Sequence, residues 1–363
     1  MSREAILDYA VPDTASIRIR IPGASRLRRL LINSKLAALA TSLPDGAAPG
    51  VEMYIGAFTP ELPADWRVID KDFWIGHNYL WFRGEHGRGA TEITGLDGGG
   101  VRLRHVPYGE SLIGNLSRGL RGVNLYLEPM LAWWLHQQGV HLLHAGAVAV
   151  DGGAVLVCGT NGAGKTRLIL DWCLRQGADF LGDDLILLRQ DGMVLPFPEH
   201  AMVLALRAAE VAVGRAPKVN RLTLLRRLWS GVPAPKPPGL RFGATTPLRS
   251  VVLLDAIPGA TAPYRLVRTE VDTLWRRVLR LEQLELVKNQ RRHRQLCNAS
   301  RMLMAYEYAF PGSPIFDAML GPDPVDPPDC LKERPGWCLA LGTTWSHDIT
   351  AHVADVLGET RKE

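Results

Sequence analysis

The chain has 363 residues, 47% hydrophobic and 22% charged, an ordinary globular balance with enough length for two cores. No apolar run approaches the roughly eighteen residues of a membrane span, and Met1-Ser2-Arg3-Glu4-Ala5 does not open a basic-then-apolar leader. Five scattered cysteines, with Cys158 and Cys173 expected to be buried, show no metal-ligand spacing, so the expectation is a soluble cytoplasmic protein without structural zinc.

In chain order, Ile17-Arg18-Ile19-Arg20-Ile21 alternates strictly up to Pro22 and predicts a half-buried strand. A short helix or helix pair is expected over 26–39. Phe73-Trp74-Ile75-Gly76 and Tyr79-Leu80-Trp81-Phe82 read as a hairpin about His77-Asn78, and Val101-Arg102-Leu103-Arg104 alternates again. Residues 1–122 therefore read as a β-rich accessory domain. The polar, glycine-rich 108–123 marks a boundary, and 123–363 reads as the second domain. Pro129 opens a helix to Gln138, with Met130, Leu131, Trp134 and Leu135 inward and Gly139 as its stop. His141 to His144 lead into Ala145-Gly146-Ala147-Val148-Ala149-Val150, a turn at Asp151-Gly152-Gly153, and the apolar strand Ala154-Val155-Leu156-Val157-Cys158.

That strand runs into Gly159-Thr160-Asn161-Gly162-Ala163-Gly164-Lys165-Thr166, which fits the phosphate-loop pattern G-x-x-x-x-G-K-S/T. A helix follows, its apolar face formed by Leu168, Ile169, Trp172 and Leu174, and stops at Gly177. Strand, glycine loop and helix turn backbone N–H groups and the positive helix end onto a phosphate. Lys165 reaches the β- and γ-phosphates, and Thr166 ligates Mg²⁺, so ATP and Mg²⁺ are the expected cofactors.

Further on, Phe180-Leu181-Gly182-Asp183-Asp184-Leu185-Ile186-Leu187-Leu188 is an apolar run interrupted by two acids. Carboxylates beside a triphosphate invite Mg²⁺, and a second one can accept the proton of an attacking hydroxyl. Val194 to Pro198 reads as strand and turn, 232–239 as a proline-rich extended loop, and 271–286 as a helix. Cys338-Leu339-Ala340-Leu341 is a late strand, and a final helix over 348–357 is capped by Ser346. Val251-Val252-Leu253-Leu254-Asp255 is a buried strand ending in an acid. If it sat beside the loop strand, it would make Asp255 a competing metal ligand, as in an ordinary ATPase. His144, which precedes the hairpin, is a candidate to lie beside a phosphate or a catalytic carboxylate; His141 is the plainer structural histidine.

His144, fifteen residues before Gly159, then the loop, then the Asp183-Asp184 pair after a glycine-terminated helix, together resemble the catalytic domain of HPr kinase/phosphorylase and its relatives. The resemblance covers roughly 140–200. It implies an α/β fold: a P-loop kinase core of the HPr kinase/phosphoenolpyruvate-carboxykinase type, preceded here by the β-rich domain. It also implies roles, with Asp184 as proton acceptor, Asp183 as its metal-side neighbour, His144 as a supporting catalytic residue and Lys165 on phosphate. The glycine-containing signature that follows the acids in the bifunctional enzyme is absent. Pro196-Phe197-Pro198-Glu199-His200 stands there, leaving Glu199 and Glu210 as candidate second metal ligands. The relatives include peptide-tailoring kinases of the lasso-peptide type, and the regulatory relatives form homo-oligomers.

The reading favoured on these grounds is an ATP- and Mg²⁺-dependent kinase of a Ser or Thr hydroxyl in a peptide or protein, with a precursor peptide preferred to HPr. A small-molecule kinase and a nucleotide-gated ATPase are the alternatives. The formal charge of +5 is concentrated in basic groups over 207–249 and 276–301, which are either solvated helix faces or a surface for an acidic peptide or phosphorylated ligand. No nucleic-acid signature accompanies them.

Overall fold

The computed structural model describes residues 4–11, 14–23, 40–43, 48–69, 71–83, 89–97, 99–106, 127–160, 162–198, 201–215, 239–257, 264–292, 304–313, 329–332, 334–342 and 345–359. It is a mixed α/β protein with two sheets and two compact units, Met1–Gly139 with Leu286–Asp323, and Val140–Glu285 with Pro324–Glu363. The expected helix over 26–39 and all but Gly239 of the proline-rich loop lie outside the described residues. Among the described residues no helix is long and apolar enough to cross a membrane.

The first unit is built on nine strands: β1 (Ala5–Val11), β2 (Ala15–Ile21), β3 (Ala40–Thr41), β4 (Val51–Ile55), β5 (Arg67–Ile69), β6 (Phe73–Gly76), β7 (Tyr79–Arg83), β8 (Ala90–Thr94) and β9 (Val101–Val106), in the order β3-β1-β2-β4-β9-β8-β7-β6-β5. The alternation read in the sequence sets its faces. Ile17, Ile19 and Ile21 are buried beside Val51, Met53 and Ile55, while the intervening Arg18 and Arg20 pair with Asp8 (2.8 Å) and Glu4 (3.0 Å). β6 and β7 form the expected hairpin. Helix α1 (Glu128–Gln137) begins with its proline and buries Met130, Leu131 and Leu135. Trp133 is the fully buried tryptophan, whereas Trp134, expected inward, is half-buried, its ring filling the space that Gly50 leaves by having no Cβ. The buried side of α1 is therefore broader than a single stripe.

The second unit carries the phosphate loop. Its strands are β10 (Val140–Leu143), β11 (Gly146–Val150), β12 (Gly153–Gly159), β13 (Asp179–Gly182), β14 (Ile186–Arg189), β15 (Met193–Leu195), β16 (Thr246–Ala256), β17 (Tyr264–Thr269) and β18 (Gly336–Leu341). β11 and β12 form a hairpin across Asp151 and Gly152, whose positive φ values (48° and 75°) suit a two-residue turn. The apolar run 180–188 is not one strand: the two acids stand at a break, with β13 pairing β11 and β14 pairing β10 and β15.

Strand direction decides what meets at the site. β13 is antiparallel to β11, which is antiparallel to β12, so β13 runs parallel to β12, as do β16 and β18. In the order β13-β11-β12-β16-β18, four carboxyl ends and the start of β11 therefore share one sheet edge. One face of this sheet is covered by α2 (Lys165–Gln176), α3 (Ala201–Ala212) and α6 (His347–Glu359), through Leu168, Ile169, Leu204, Ala208, Ile349 and Val353. The other is covered by α4 (Val271–Arg292) and α5 (Asp329–Lys332), through Leu274, Trp275, Val278 and Leu331.

The loop helix is clamped from below. Asp171 on α2 is fully buried and accepts from the Thr350 hydroxyl (2.7 Å) and Arg175 (2.9 Å), with His347 Nδ1 at 2.8 Å. Thr350 and His347 belong to α6, so one carboxylate ties two helices together. Asp171→Ala leaves the buried Thr350 hydroxyl unsatisfied and should lower unfolding free energy by about 1–3 kcal/mol. Adding Thr350→Val should recover part of the loss in chemical denaturation, because both partners then leave together.

Candidate functional site

β12 ends at Gly159, Gly162 and Gly164 adopt φ of 88° and 104°, and α2 starts at Lys165. Only glycine takes those angles at low cost, so the motif glycines and the turn they make are one requirement. Lys165 is 7% exposed, and its Nζ donates to the Gly159 carbonyl at 2.6 Å, which holds the ammonium inside the loop. The first turn of α2 carries no acid, so nothing there neutralises the positive helix end. Ala163 is buried, Thr160 and Thr166 are partly exposed, and Asn161 lies outside the described residues.

Asp183 and Asp184 leave the end of β13 on the same edge, and their environments differ. The Asp183 side chain has no exposure, and Arg207 on α3 meets its Oδ2 at 2.6 Å. Burial pushes the Asp183 carboxyl above the ordinary carboxylate range; Arg207 and the adjacent Thr166 hydroxyl oppose that shift, and Asp184 reinforces it. Asp183 Oδ1 is buried with no hydrogen-bond partner among the described residues. Asp184 is 45% exposed and lies 3.8 Å from His144 Nδ1, within ion-pair reach but beyond a hydrogen bond. His144 is held there by a tight turn closed between Ala145 N–H and the Leu143 carbonyl at 2.9 Å. His141 lies edge-on to Trp275.

The loop and the acids can approach because β11 begins with glycine. A Cβ on Gly146 would stand 2.1 Å from Ile169 Cδ1, 3.0 Å from the Gly182 carbonyl and 3.2 Å from Asp183 Cα. Any side chain there would separate α2 from β13.

Asp255 also reaches this edge. β16 lies parallel to β12 with Gly159 opposite Leu254, so the condition for a competing acid is met. Side-chain alternation sends it the other way, however. Leu254 packs with Leu168 and Ile169 of α2, whereas Leu253 packs with Leu274 and Val278 of α4. Asp255 shares the parity of Leu253, and there Arg277 of α4 meets it at 2.5 Å and the Cys338 thiol donates to it at 3.2 Å. Glu210 lies one turn past Arg207 on α3, and Glu199 is outside the described residues.

Several members of the basic groups act locally. Arg207 pairs with Asp183, Arg241 with Asp179 (2.8 Å), and Arg249 with the Leu357 carbonyl. Arg276 and Arg280 are exposed on α4, and Lys218, Arg221, Arg226, Arg227, Lys236, Arg294 and Arg301 are outside the described residues. Sequence reasoning gave Arg207 no individual role. Its signal was its position as the lone cation in the otherwise apolar Ala-Met-Val-Leu-Ala-Leu-Arg-Ala-Ala helix, where a charge needs a partner.

No protein-family model matches the chain, and no curated protein matches it. The donor set fits Mg²⁺. The ion takes hard oxygen ligands, a nucleotide-borne one needs only one or two from protein, and Asp183 beside Thr166 has an oxygen with no hydrogen-bond partner among the described residues. Among the described residues no three His, Cys, Asp or Glu side chains gather as metal ligands, and such an ion does not need them.

Arg207→Ala removes the countercharge of a buried carboxylate and should cost about 3–5 kcal/mol of stability. Asp183→Asn should cost clearly less in the same unfolding assay, because it removes the charge that requires a partner.

Proposed function

We propose that the chain is an ATP- and Mg²⁺-dependent kinase that moves the γ-phosphoryl group to a hydroxyl, a Ser or Thr of a peptide or protein. The observation that carries this reading is the close approach at Gly146, where a Cβ would meet both Ile169 of the loop helix and Asp183, so that the phosphate loop and an acid pair from two strands away converge on one edge. The finer fold assignment, a P-loop core of the HPr kinase/phosphoenolpyruvate-carboxykinase type behind a β-rich domain, belongs to the same proposal. The His144–loop–Asp183-Asp184 spacing supports it. Buried thiols at Cys158 and Cys173 suit the cytoplasm as the compartment.

In this reading Lys165 and the loop amides bind the phosphates, and Thr166 and Asp183 hold Mg²⁺. When bound, that ion supplies neutralisation of charge on the β- and γ-phosphates. Arg207 keeps Asp183 oriented from behind. Asp184, the exposed acid, accepts the hydroxyl proton as the hydroxyl oxygen bonds to the γ-phosphorus and the bond to the bridging oxygen breaks. His144 stands beside Asp184 and steadies its charge. The exposed Arg265, Arg268 and Arg276 favour an acidic peptide over a neutral acceptor.

A second reading, an ATPase without a phosphoryl acceptor, draws on β16 lying directly beside β12 with Asp255 at its end. ATP labelled at its γ-phosphate, incubated with the chain, Mg²⁺ and pools of peptides or metabolites, separates the readings. A labelled Ser or Thr is expected, whereas phosphate release with no labelled product supports the ATPase. Asp184→Asn should slow transfer by about 10²–10⁴-fold while ATP affinity stays near that of the wild type. Lys165→Ala should weaken ATP binding about tenfold or more, a loss of about 1.4 kcal/mol. Wild-type transfer by Asp184→Asn would overturn the assigned proton acceptor.

A further inference from the structure

The shared sheet edge has a direction. Across the shared edge the order is β13, β11, β12, β16 and β18, so the acid pair lies on one side of the phosphate loop and the end of β18 on the other. A nucleotide whose terminal phosphate faces the acids runs its ribose and base the opposite way. β18 is two strand spacings from β12, about 10 Å. In open α/β sheets the crevice outside the carboxyl ends is where such ligands lie.

Beyond β18 the chain delivers Trp345. The ring is half-buried, and a Cβ on Gly164, the last glycine of the loop, would sit 3.8 Å from its Cζ3. Arg167, the residue after Thr166, lays its guanidinium over the ring, 4.9 Å from the centroid, and donates to the Gly214 carbonyl at 3.0 Å. The loop thus has an aromatic plane fixed against it on the side away from the acids, with a cation stacked on that plane. A flat, polarisable base is the ligand such a pair selects, because stacking needs only a π-face and a guanidinium adds to it. Core packing alone does not call for a cation held on the ring at the loop's edge.

We propose that Trp345, held by Arg167, is the platform for the base of the bound nucleotide. The proposal rests on the phosphate-loop reading above and adds the subsite that tells a nucleotide from a bare polyphosphate. The test measures binding of Mg-ATP and of inorganic tripolyphosphate, by calorimetry, to wild type and variants whose folding is checked by thermal unfolding. Trp345→Ala should lose about tenfold in ATP affinity and leave tripolyphosphate affinity unchanged. Trp345→Phe should keep most of the ATP affinity. Trp345→Leu retains apolar bulk against the core, and so should fold while showing the same selective loss. Unchanged ATP binding in Trp345→Leu, or equal losses on both ligands, overturns the platform while leaving the phosphate loop standing. Wild-type protein that binds neither ligand overturns the underlying site reading instead.

Discussion

A carboxylate kept entirely out of water is the constraint around which the second unit's functional edge is organised. Asp183 has no exposed side-chain surface, and burial alone would favour its neutral form. Arg207 supplies the opposing charge from α3, Thr166 a hydroxyl from α2, and Gly146 the space that lets α2 and the end of β13 come together. A buried charge is tolerated only with such company, so the position of one carboxyl group constrains two helices and two strands at once. The adjacent Asp184 has the opposite surroundings, open to solvent and to His144. Neighbours in sequence thus have unlike environments, one buried against a guanidinium and one open to solvent.

The fifteen-residue interval between His144 and Gly159 has a plain geometric origin. A strand leads out, a two-residue turn reverses it, and a strand leads back, so the start of β11 lies at the same edge as the end of β12. A parallel connection would have needed a long crossover to do the same. β13 then runs antiparallel to β11 and brings Asp183 to that edge. The proposed kinase chemistry is economical in this light, because a single hairpin registers a histidine, a phosphate loop and an acid pair against one another.

Much of this was legible from local pattern. Strict alternation marked β2 and β9, apolar β-branched runs marked β12 and β16, and the glycines of the loop and Gly177 marked the ends of α2. Pairing across distance was not legible. The run 180–188 reads as an apolar stretch interrupted by two acids; that its halves go to different neighbours, with β13 beside β11 and β14 beside β10, depends on partners far off in sequence. Gly146 stood unremarked among small residues, since nothing local shows which neighbour will approach. Arg207 looked like one more member of a basic group, and only the third dimension gives it Asp183. The same holds for Arg241 and Arg249, which meet Asp179 and a helix-end carbonyl.

The two strand-end acids show how three-dimensional surroundings separate candidates that composition cannot. Asp255 follows four apolar residues beside the loop strand, and by position alone it is the better match to an ATPase metal ligand. One step of register puts it on the α4 face, where Arg277 and Cys338 occupy it. To serve a phosphate held at the start of α2, its side chain would have to cross to the other face and leave Arg277 without its carboxylate. Asp183 needs no such rearrangement, because β13 ends at Gly182 and the bend that follows brings the acid to Arg207 of α3, with its Oδ1 lacking a hydrogen-bond partner among the described residues. The surroundings of the two acids, rather than alternation alone, therefore separate them: Asp255 is held by Arg277 and Cys338 on the α4 face, and Asp183 is held by Arg207 of α3 on the opposite face.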